Sequence, residues 1–336
     1  MSNPFAPPTS SPGNGTIHLA LLPPNQPKLR TVNYQYPLKL VYPAPVRTTG
    51  DDAELIHTVY LLTYGGGLVA GDTIHLHVHL DQTTKLILLT QGSTKLFKSP
   101  GRDVVSKQSM TVDLTPGSGL CYLPDPVQPF EKSCFEQQQI YNIHLSGSTG
   151  RDTGSLCVLD WVSNGRPANG ENWSFYRYGS RNEIYLHDPA GARKLLLRDN
   201  MLLDQDEGEQ GEVAIKMDGL AVYATLILYG PMFSALGRFI MSEFKHLPRI
   251  GGRKWDSGSD SEDEGKPDPL TIRRLRRQRL EDASKIIWSA ASIRGCVVVK
   301  VAAPALESAR RWLHSVLSDE GSVKKQFGER ALLCLR

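Results

Sequence analysis

Cysteine is scarce in this sequence, and no two cysteines form a Cys-x-x-Cys pair. Five cysteines are spread over 336 residues. An odd number without a repeated spacing excludes a disulfide framework and is typical of reduced thiols in a cytosolic protein. Their surroundings are apolar or aromatic, which predicts buried core thiols. The five are Cys121, Cys134, Cys157, Cys296 and Cys334.

An excess of charge of one sign is also lacking. The 38 Lys and Arg residues nearly balance the 35 Asp and Glu residues, so the net charge is +3. This balance excludes the broad basic surface of a nucleic-acid-binding protein. Hydrophobic residues make up 40% of the chain and charged residues 22%, which is ordinary for a globular protein with a core.

No hydrophobic run is long enough to cross a membrane. The best candidate, 219–237, is uncharged but is divided by Gly230 and Pro231, and the apolar run before that break is too short. We interpret this segment as a buried strand, a turn and a helix over about 232–244. Residues 1–15 have neither a basic start nor an apolar stretch, so they predict a disordered tail and not a signal peptide. A cytoplasmic protein without membrane contact is expected.

Turn-forming residues are, by contrast, abundant: 30 Gly and 22 Pro argue against a helical bundle. Residues 73–80 alternate strictly between apolar side chains and histidines, which predicts a strand with one buried face. The spacing of further short segments favours a large antiparallel β structure. Those segments are 85–90, 103–114, 133–145, 156–162, 173–187, 193–203 and 212–229.

Helices are predicted only late in the chain. Residues 251–269 are acidic and almost free of apolar side chains, so we expect a disordered insertion within a single domain, 16–336. The arginines at 273–279 could bind phosphates, but we expect a solvated helix face that pairs with this acidic segment. The remaining predictions are a helix over 270–292, a strand over 295–301, a helix over 304–317 and a strand over 330–335.

A glycine-rich stretch invites comparison with a phosphate-binding loop. Gly66 and Gly71 have the required spacing, but Asp72 stands where a lysine is needed. The stretch also leads into a strand, so no helix N-terminus is available to hold an anion. We therefore interpret it as a tight turn between strands.

Three histidines on one strand face are the strongest metal-binding pattern in the sequence. His75, His77 and His79 share that face with Asp81, and imidazoles at alternate positions of a strand can bind zinc or nickel. The alternative is a polar strand face against solvent or a partner. From the residues alone, a β-rich metal-dependent hydrolase using these four side chains remains possible, although the usual nucleophile and zinc-protease motifs are missing.

Five segments, in order, resemble one known family. The first, 64–72, and the second, 89–97, are followed by 122–130, by 160–173 and by Tyr229-Gly230-Pro231. Together they are similar to the signatures of the urease accessory protein D family (UreD, also called UreH). The residues that carry the resemblance are Gly66, Gly67, Gly71, Asp72, Gln91, Lys95, Pro124, Pro129, Phe130, Asp160, Trp161, Gly165, Arg166, Glu171 and Trp173.

The resemblance implies a mostly β fold, with antiparallel and mixed strands layered like a β-helix and a few C-terminal helices. It also implies a chaperone without catalytic activity. Such a protein is a scaffold that binds accessory protein F, which recruits the GTPase G, and the assembly passes nickel into apo-urease. No tightly bound cofactor is expected, and nickel would bind transiently, with His75, His77 and His79 as possible ligands.

Four charged residues of these segments have open roles. Asp72 and Asp125 stand beside Gly or Pro, which favours turn chemistry over metal or partner contact. Lys95 and Glu171 are charged residues of these segments and would need partners inside a β stack. Either a buried ion pair or a wet channel would satisfy that need.

Overall fold

The computed structural model describes residues 11–48, 53–147, 153–205, 211–247 and 269–336. Its strands are β1 (Asn14–Leu22), β2 (Gln26–Tyr34), β3 (Leu38–Val41), β4 (Val46–Arg47), β5 (Leu55–Thr63), β6 (Gly67–Leu68), β7 (Thr73–Leu80), β8 (Lys85–Leu89), β9 (Thr94–Leu96), β10 (Ser106–Leu114), β11 (Gly119–Tyr122), β12 (Val127–Pro129), β13 (Cys134–His144), β14 (Ser155–Ser163), β15 (Arg177–His187), β16 (Arg193–Asp204), β17 (Val222–Tyr229), β18 (Ile287–Ile293) and β19 (Cys296–Ala303).

Five α-helices and four short 3-10 helices complete the described chain. The α-helices are α1 (Glu212–Lys216), α2 (Ser234–Lys245), α3 (Pro269–Ser284), α4 (Leu306–Glu320) and α5 (Ser322–Phe327). The 3-10 helices are Tyr64–Gly66, Pro167–Asn169, Pro231–Phe233 and Glu329–Leu335.

The strands wind in successive coils, each of which contributes to two large sheets. The outer sheet has seven strands in the order β16-β15-β13-β10-β7-β1-β2. The central sheet contains twelve strands along the main order β18-β19-β17-β14-β11-β8-β5-β3. Between them, the short strands β6, β9 and β12 form parallel pairs of their own, and we call them the corner strands. One turn of the coil therefore runs from the central sheet through a corner strand to the outer sheet.

Two hydrophobic cores hold three layers together. One core fills the space between the two sheets, and the other lies between the central sheet and helices α2, α4 and α5. The outer sheet consequently has one face on the first core, as β7 shows. Its apolar residues Ile74, Leu76, Val78 and Leu80 are buried, and its histidines lie on the opposite face, as the sequence predicted.

The mostly β fold with C-terminal helices is confirmed, and the sheets are mixed. The antiparallel arrangement expected from the strand spacing is wrong for the centre of both sheets, where neighbouring strands run parallel. In the outer sheet these are β7, β10, β13 and β15. In the central sheet they are β5, β8, β11 and β14. Antiparallel pairs lie towards the ends of each sheet. Strands β8 and β14 are buried at every position, as is typical of parallel strands covered on both faces.

Three predicted elements differ from the observed ones. The segment 212–229 is helix α1 followed by strand β17, and 270–292 is helix α3 followed by strand β18. The break in the second falls at Lys285, whose φ of 50° is outside the helical region. The segment 330–335 lies in a 3-10 helix and not a strand. Short apolar runs of this kind do not distinguish strand from helix, because each buries one side.

The divided apolar segment behaves as predicted. Strand β17 ends at Tyr229, Gly230 turns with a φ of 88°, and a 3-10 helix leads into α2. Among the described residues, no helix is both long and apolar enough to span a bilayer.

The predicted limits of the tail and of the acidic insertion meet the described chain in two places. Strand β1 begins at Asn14, so residues 14 and 15 of the predicted tail belong to a strand, and helix α3 begins at Pro269, the last residue of the predicted insertion. Residues 1–10 and the acidic segment up to 268 lie outside the described residues.

The arginine cluster is partly buried, contrary to the expected solvated face. Arg277 is only 4% exposed and pairs with both Glu243 of α2 and Asp319 of α4 at 2.5 Å. Arg274 pairs with Glu243 as well, at 2.8 Å. These ion pairs join α3 to two other helices, so part of the cluster is a packing element.

Polar ties join the C-terminal helices to the early coils. The buried Lys85 of β8 donates from Nζ to Gln326 Oε1 of α5 at 2.8 Å and also pairs with Glu54. Arg310 of α4 contacts Asp125, in the turn after β11, at 3.1 Å. The helices are thus fixed to the coil by hydrogen bonds as well as by the second core.

Candidate functional site

Four of the five family-like segments lie at one edge of successive coils, whereas Tyr229-Gly230-Pro231 lies at the opposite end of β14, where Tyr229 pairs with Leu156. Segments 64–72, 89–97 and 122–130 contain the corner strands β6, β9 and β12, and 160–173 continues from β14. Strand β6 pairs with β9, β9 with β12, and β12 with β14. Segments distant in sequence are therefore stacked in space, and we call this edge the motif corner.

Two glycines of the motif corner are required by close packing. A Cβ on Gly67 would lie 2.3 Å from the carbonyl oxygen of Lys95 and 2.8 Å from the ring of Phe97. A Cβ on Gly165 would lie 2.7 Å from the carbonyl oxygen of Pro129, and its φ of 101° is itself unfavourable for other residues. These motif glycines allow adjacent coils to approach.

An aromatic and ionic stack crosses the same edge. Phe97 and Phe130 meet edge to face at 5.5 Å, and the Arg166 guanidinium lies 3.8 Å from the centre of the Phe130 ring. Arg166 Nε donates to Glu171 Oε2 at 2.9 Å, and this hydrogen bond lowers the pKa of Glu171. Glu171 also accepts the backbone N–H of Glu131. The sequence left two alternatives for Glu171, a buried ion pair or a wet channel. The structure shows an ion pair with Arg166.

Lys95 differs from Glu171, because its ammonium group has no partner among the described residues. Its side chain is exposed and makes no hydrogen bond or ion pair with another described residue. Gln91 is exposed in the same way, at the rim of a groove of about 640 Å³ that Asp125, Arg310 and Leu333 also line. These two motif residues are available to a partner.

Both aspartates considered for turn chemistry accept backbone hydrogen bonds. Asp72 Oδ2 accepts the N–H of Val69 at 2.9 Å, which supports the tight-turn interpretation of the glycine-rich stretch. Asp125 accepts the N–H of Gly92 at 2.9 Å and a weaker bond from the Thr90 hydroxyl at 3.3 Å. Asp125 therefore closes a turn between coils in addition to holding helix α4.

The motif tryptophans are structural. Trp161 and Trp173 are each 1% exposed, and each indole N–H donates to a backbone carbonyl at 2.8 Å. The acceptors are Pro124 and Leu220. Buried indoles normally have such a partner, so these contacts position the segments around them.

A buried carboxyl lies between the two sheets beside the motif corner. Asp160 is 4% exposed and accepts hydrogen bonds from Gln137 at 2.7 Å, from Ser180 at 2.5 Å and from Asn182 at 2.6 Å. Burial raises the pKa of Asp160 in spite of these donors. Asn182 Oδ1 and Tyr178 Oη, both buried, have no hydrogen-bond partner among the described residues. The sequence indicated Asp160 only through the family resemblance.

A separate polar surface covers the face of the outer sheet away from the core. Six of the nine histidines lie there, on strands β1, β7, β13 and β15. We call this surface the histidine face. Its histidines are His18, His75, His77, His79, His144 and His187.

The three histidines of β7 have different partners on this face. His75 Nδ1 lies 2.6 Å from Ser109 Oγ, and His77 Nε2 lies 2.6 Å from Asp113 Oδ2. His79 instead approaches Asp81, with Nε2 3.4 Å from Oδ1. The structure therefore brings His79 to Asp81 and places His75 and His77 in contacts of their own.

Sequence reasoning missed the partners that other strands supply. His18 of β1 is the Cα neighbour of His79 and lies 2.9 Å from Asp81. Asp113 of β10 holds His77 and, at 3.3 Å, His144. The period of two in the sequence shows which residues face outward, but the parallel register that brings strands together is not visible in it.

The cysteines are core thiols, as predicted. All five are free and buried. Burial raises the pKa of Cys296 and of Cys334 to about 12, and raises those of Cys121 and Cys134 as well. A thiol with a raised pKa is a poor nucleophile and a poor metal ligand. Together with their burial, this makes these four cysteines unsuited to a reactive site.

Comparison with known proteins identifies the class of such a coiled β protein. The family model described as UreD urease accessory protein matches residues 13–330. Urease accessory protein 4 of Cryptococcus neoformans is 30% identical over 96% of this chain and 94% of its own length. An uncharacterised ureD-like urease accessory protein of Schizosaccharomyces pombe is 31% identical over 86% and 88%, and urease accessory protein D of Arabidopsis thaliana 32% over 63% and 67%.

These matches define an accessory protein and not a catalyst. The chain belongs to the UreD urease accessory protein family. The family resemblance predicted from the motif segments is thereby confirmed. The hydrolase alternative built on the β7 histidines does not hold, because proteins of this family are not enzymes.

Proposed function

We propose that this chain is a scaffold for urease maturation which, with accessory protein F and the GTPase G, delivers nickel into apo-urease. The observation that carries the proposal is the family match over residues 13–330. The stacked motif segments support it, because four of the five segments that carry the resemblance form one continuous edge of the fold. Nickel is the cargo, which the chain holds transiently and not as a resident cofactor. We propose that this delivery takes place in the cytoplasm.

Loss of the chain tests this role directly. In a cell that lacks it, urease protein should be present but should contain little nickel and show little activity. Urease is purified from the deletion strain and from the parent, and its metal content and activity are measured at ordinary nickel. Fully active, nickel-loaded urease in the deletion strain would contradict the proposal.

We further propose that a protein partner contacts the motif corner around Lys95 and Gln91. The neighbouring motif residues Gly67, Arg166 and Glu171 are explained by packing or pairing within the fold. Lys95 and Gln91 are not, since both are exposed without a side-chain partner among the described residues. The groove beside Gln91 provides a concave surface for such a contact.

Charge reversal at Lys95 tests the contact. Lys95→Glu should reduce capture of the F and G proteins or of apo-urease by the tagged chain, because an exposed charge in an interface affects partner choice. Lys107→Glu is the matched control, since Lys107 is also an exposed lysine, on strand β10 of the outer sheet. Equal capture by the two variants would exclude Lys95 from the interface.

A further inference from the structure

His18, His79 and Asp81 form a compact group of metal-ligating side chains. Their donor atoms all lie within 4.8 Å of one another. Among the residues that the structure describes, this is the one group of three or more His, Cys, Asp or Glu side chains that meets this distance. Since His18 comes from a different strand, the group cannot be recognised from the β7 pattern alone.

The distances suit a single small cation. Asp81 Oδ1 lies 2.9 Å from His18 Nε2 and 3.4 Å from His79 Nε2. Ligands bound to zinc at about 2.0–2.2 Å in tetrahedral geometry stand about 3.4 Å apart. The two imidazole rings lie 5.0 Å apart and are nearly perpendicular, so their nitrogens can turn towards a common point.

The strand framework holds these ligands in place. His18 and His79 are directly paired in the parallel register of β1 and β7. Asp81 follows β7, and its second oxygen, Oδ2, accepts the N–H of Leu21 at 3.0 Å, which leaves Oδ1 towards the histidines. Such an outer hydrogen bond orients a carboxylate ligand in metal sites.

The group is also open to solvent. The three side chains are between 26% and 39% exposed, so solvent can reach the group and supply further ligands.

We propose that His18, His79 and Asp81 bind one divalent cation of the zinc, nickel and cobalt class on the outer face of the outer sheet. Two imidazoles and one carboxylate suit these ions, whereas magnesium and calcium prefer sites built from oxygen ligands alone. The site is independent of the scaffold role, because it needs no partner chain. His75 and His77 are outside it, as they contact Ser109 and Asp113.

Calorimetric titration of the untagged full-length chain tests the site, with Zn²⁺, Ni²⁺ and Mg²⁺ as separate probes. We expect one equivalent of Zn²⁺ or Ni²⁺ to bind, and Mg²⁺ not to compete. His18→Ala and His79→Ala should each weaken binding about ten-fold or more, since even outer residues of metal sites have effects of that size. His75→Ala is the matched control, because it removes an exposed histidine of β7 and should change affinity less than about two-fold.

A spectroscopic measurement provides a second readout. Titration with Co²⁺ should give visible absorption bands in the parent chain and in His75→Ala, and these bands should disappear in the His18→Ala/His79→Ala double variant. Melting of the metal-free variants, compared with the parent, verifies that the fold is kept. Unchanged Zn²⁺ affinity in the double variant would overturn the proposal, as would an equal loss in His75→Ala. Neither result would bear on urease activation, which is measured separately in the deletion strain.

Discussion

Replacing Gly67 with alanine should destabilise the motif corner by steric overlap alone. The backbone of Gly67 is extended, with φ of −174°, so alanine meets no conformational obstacle there. Its Cβ would, however, lie 2.3 Å from the carbonyl oxygen of Lys95. Relief requires a movement of about 1 Å to reach ordinary contact distance, and that movement separates β6 from β9, which pair at these two residues.

The expected loss is about 2 kcal/mol. Overpacking in a close-packed region costs about 1–3 kcal/mol, and weakening the hydrogen bond from Phe97 N–H to Leu68 carbonyl, now 3.0 Å, costs about 1 kcal/mol more. Alanine restores about 0.5–1 kcal/mol by restricting the unfolded chain. The unfolding entropy is about 2.1 cal/mol/K per residue. For 336 residues, dividing the loss in free energy of unfolding by this entropy gives a Tm lower by about 3 °C.

The matched control is Gly179→Ala in strand β15. The nearest atom to a Cβ there is Glu136 Cγ at 3.6 Å, an ordinary contact. Alanine should therefore be neutral or slightly stabilising at Gly179. The test compares the Tm of both variants with that of the parent in thermal melts. If Gly67→Ala melted with or above Gly179→Ala, the close approach of the corner strands would not be the reason for this glycine.

Two further substitutions test the buried charges. Since the folded-state pKa of Asp160 is raised above its unfolded value of about 3.9, the carboxyl lowers stability increasingly as pH rises above that value. The stability of Asp160→Asn relative to the parent, measured by denaturant unfolding, should therefore improve between about pH 4 and pH 7; a flat difference would contradict a raised pKa. Arg277→Ala should cost about 3 kcal/mol, because the buried Glu243 then keeps only Arg274 as a partner and the partly buried Asp319 loses its side-chain partner. Arg276→Ala, at an exposed position of the same helix, should change stability by less than about 0.5 kcal/mol, and equal losses would refute the burial argument.

Local patterns in the sequence predicted individual strands well. The limits of β7 match the predicted 73–80, because strict alternation reports directly which side chains need burial. The strand patterns alone did not predict which strands pair, since parallel pairing depends on contacts between distant coils. The mixed, layered array was expected only from the family resemblance. A sign of parallel pairing was nevertheless present: Leu86 to Leu89 form a continuous apolar run that is buried at every position.

The sequence also predicted each candidate site only in part. The family segments identified the motif corner, but the sequence could not show that Gly67 faces Lys95 or that Arg166 covers Phe130. On the histidine face, β7 was recognised and His18 was not. A single histidine in an alternating strand has no distinguishing feature until its neighbour in the sheet is known.

The polar ties between the C-terminal helices and the early coils have a consequence for synthesis on the ribosome. Lys85 and Asp125 are buried, and their partners include Gln326 and Arg310, which are translated some two hundred residues later. Until then, the growing chain exposes these charges or holds them incompletely paired. The early coils therefore reach their final packing only after nearly all of the chain has emerged, and a nascent chain stalled before Arg310 should remain a substrate for general chaperones and proteases.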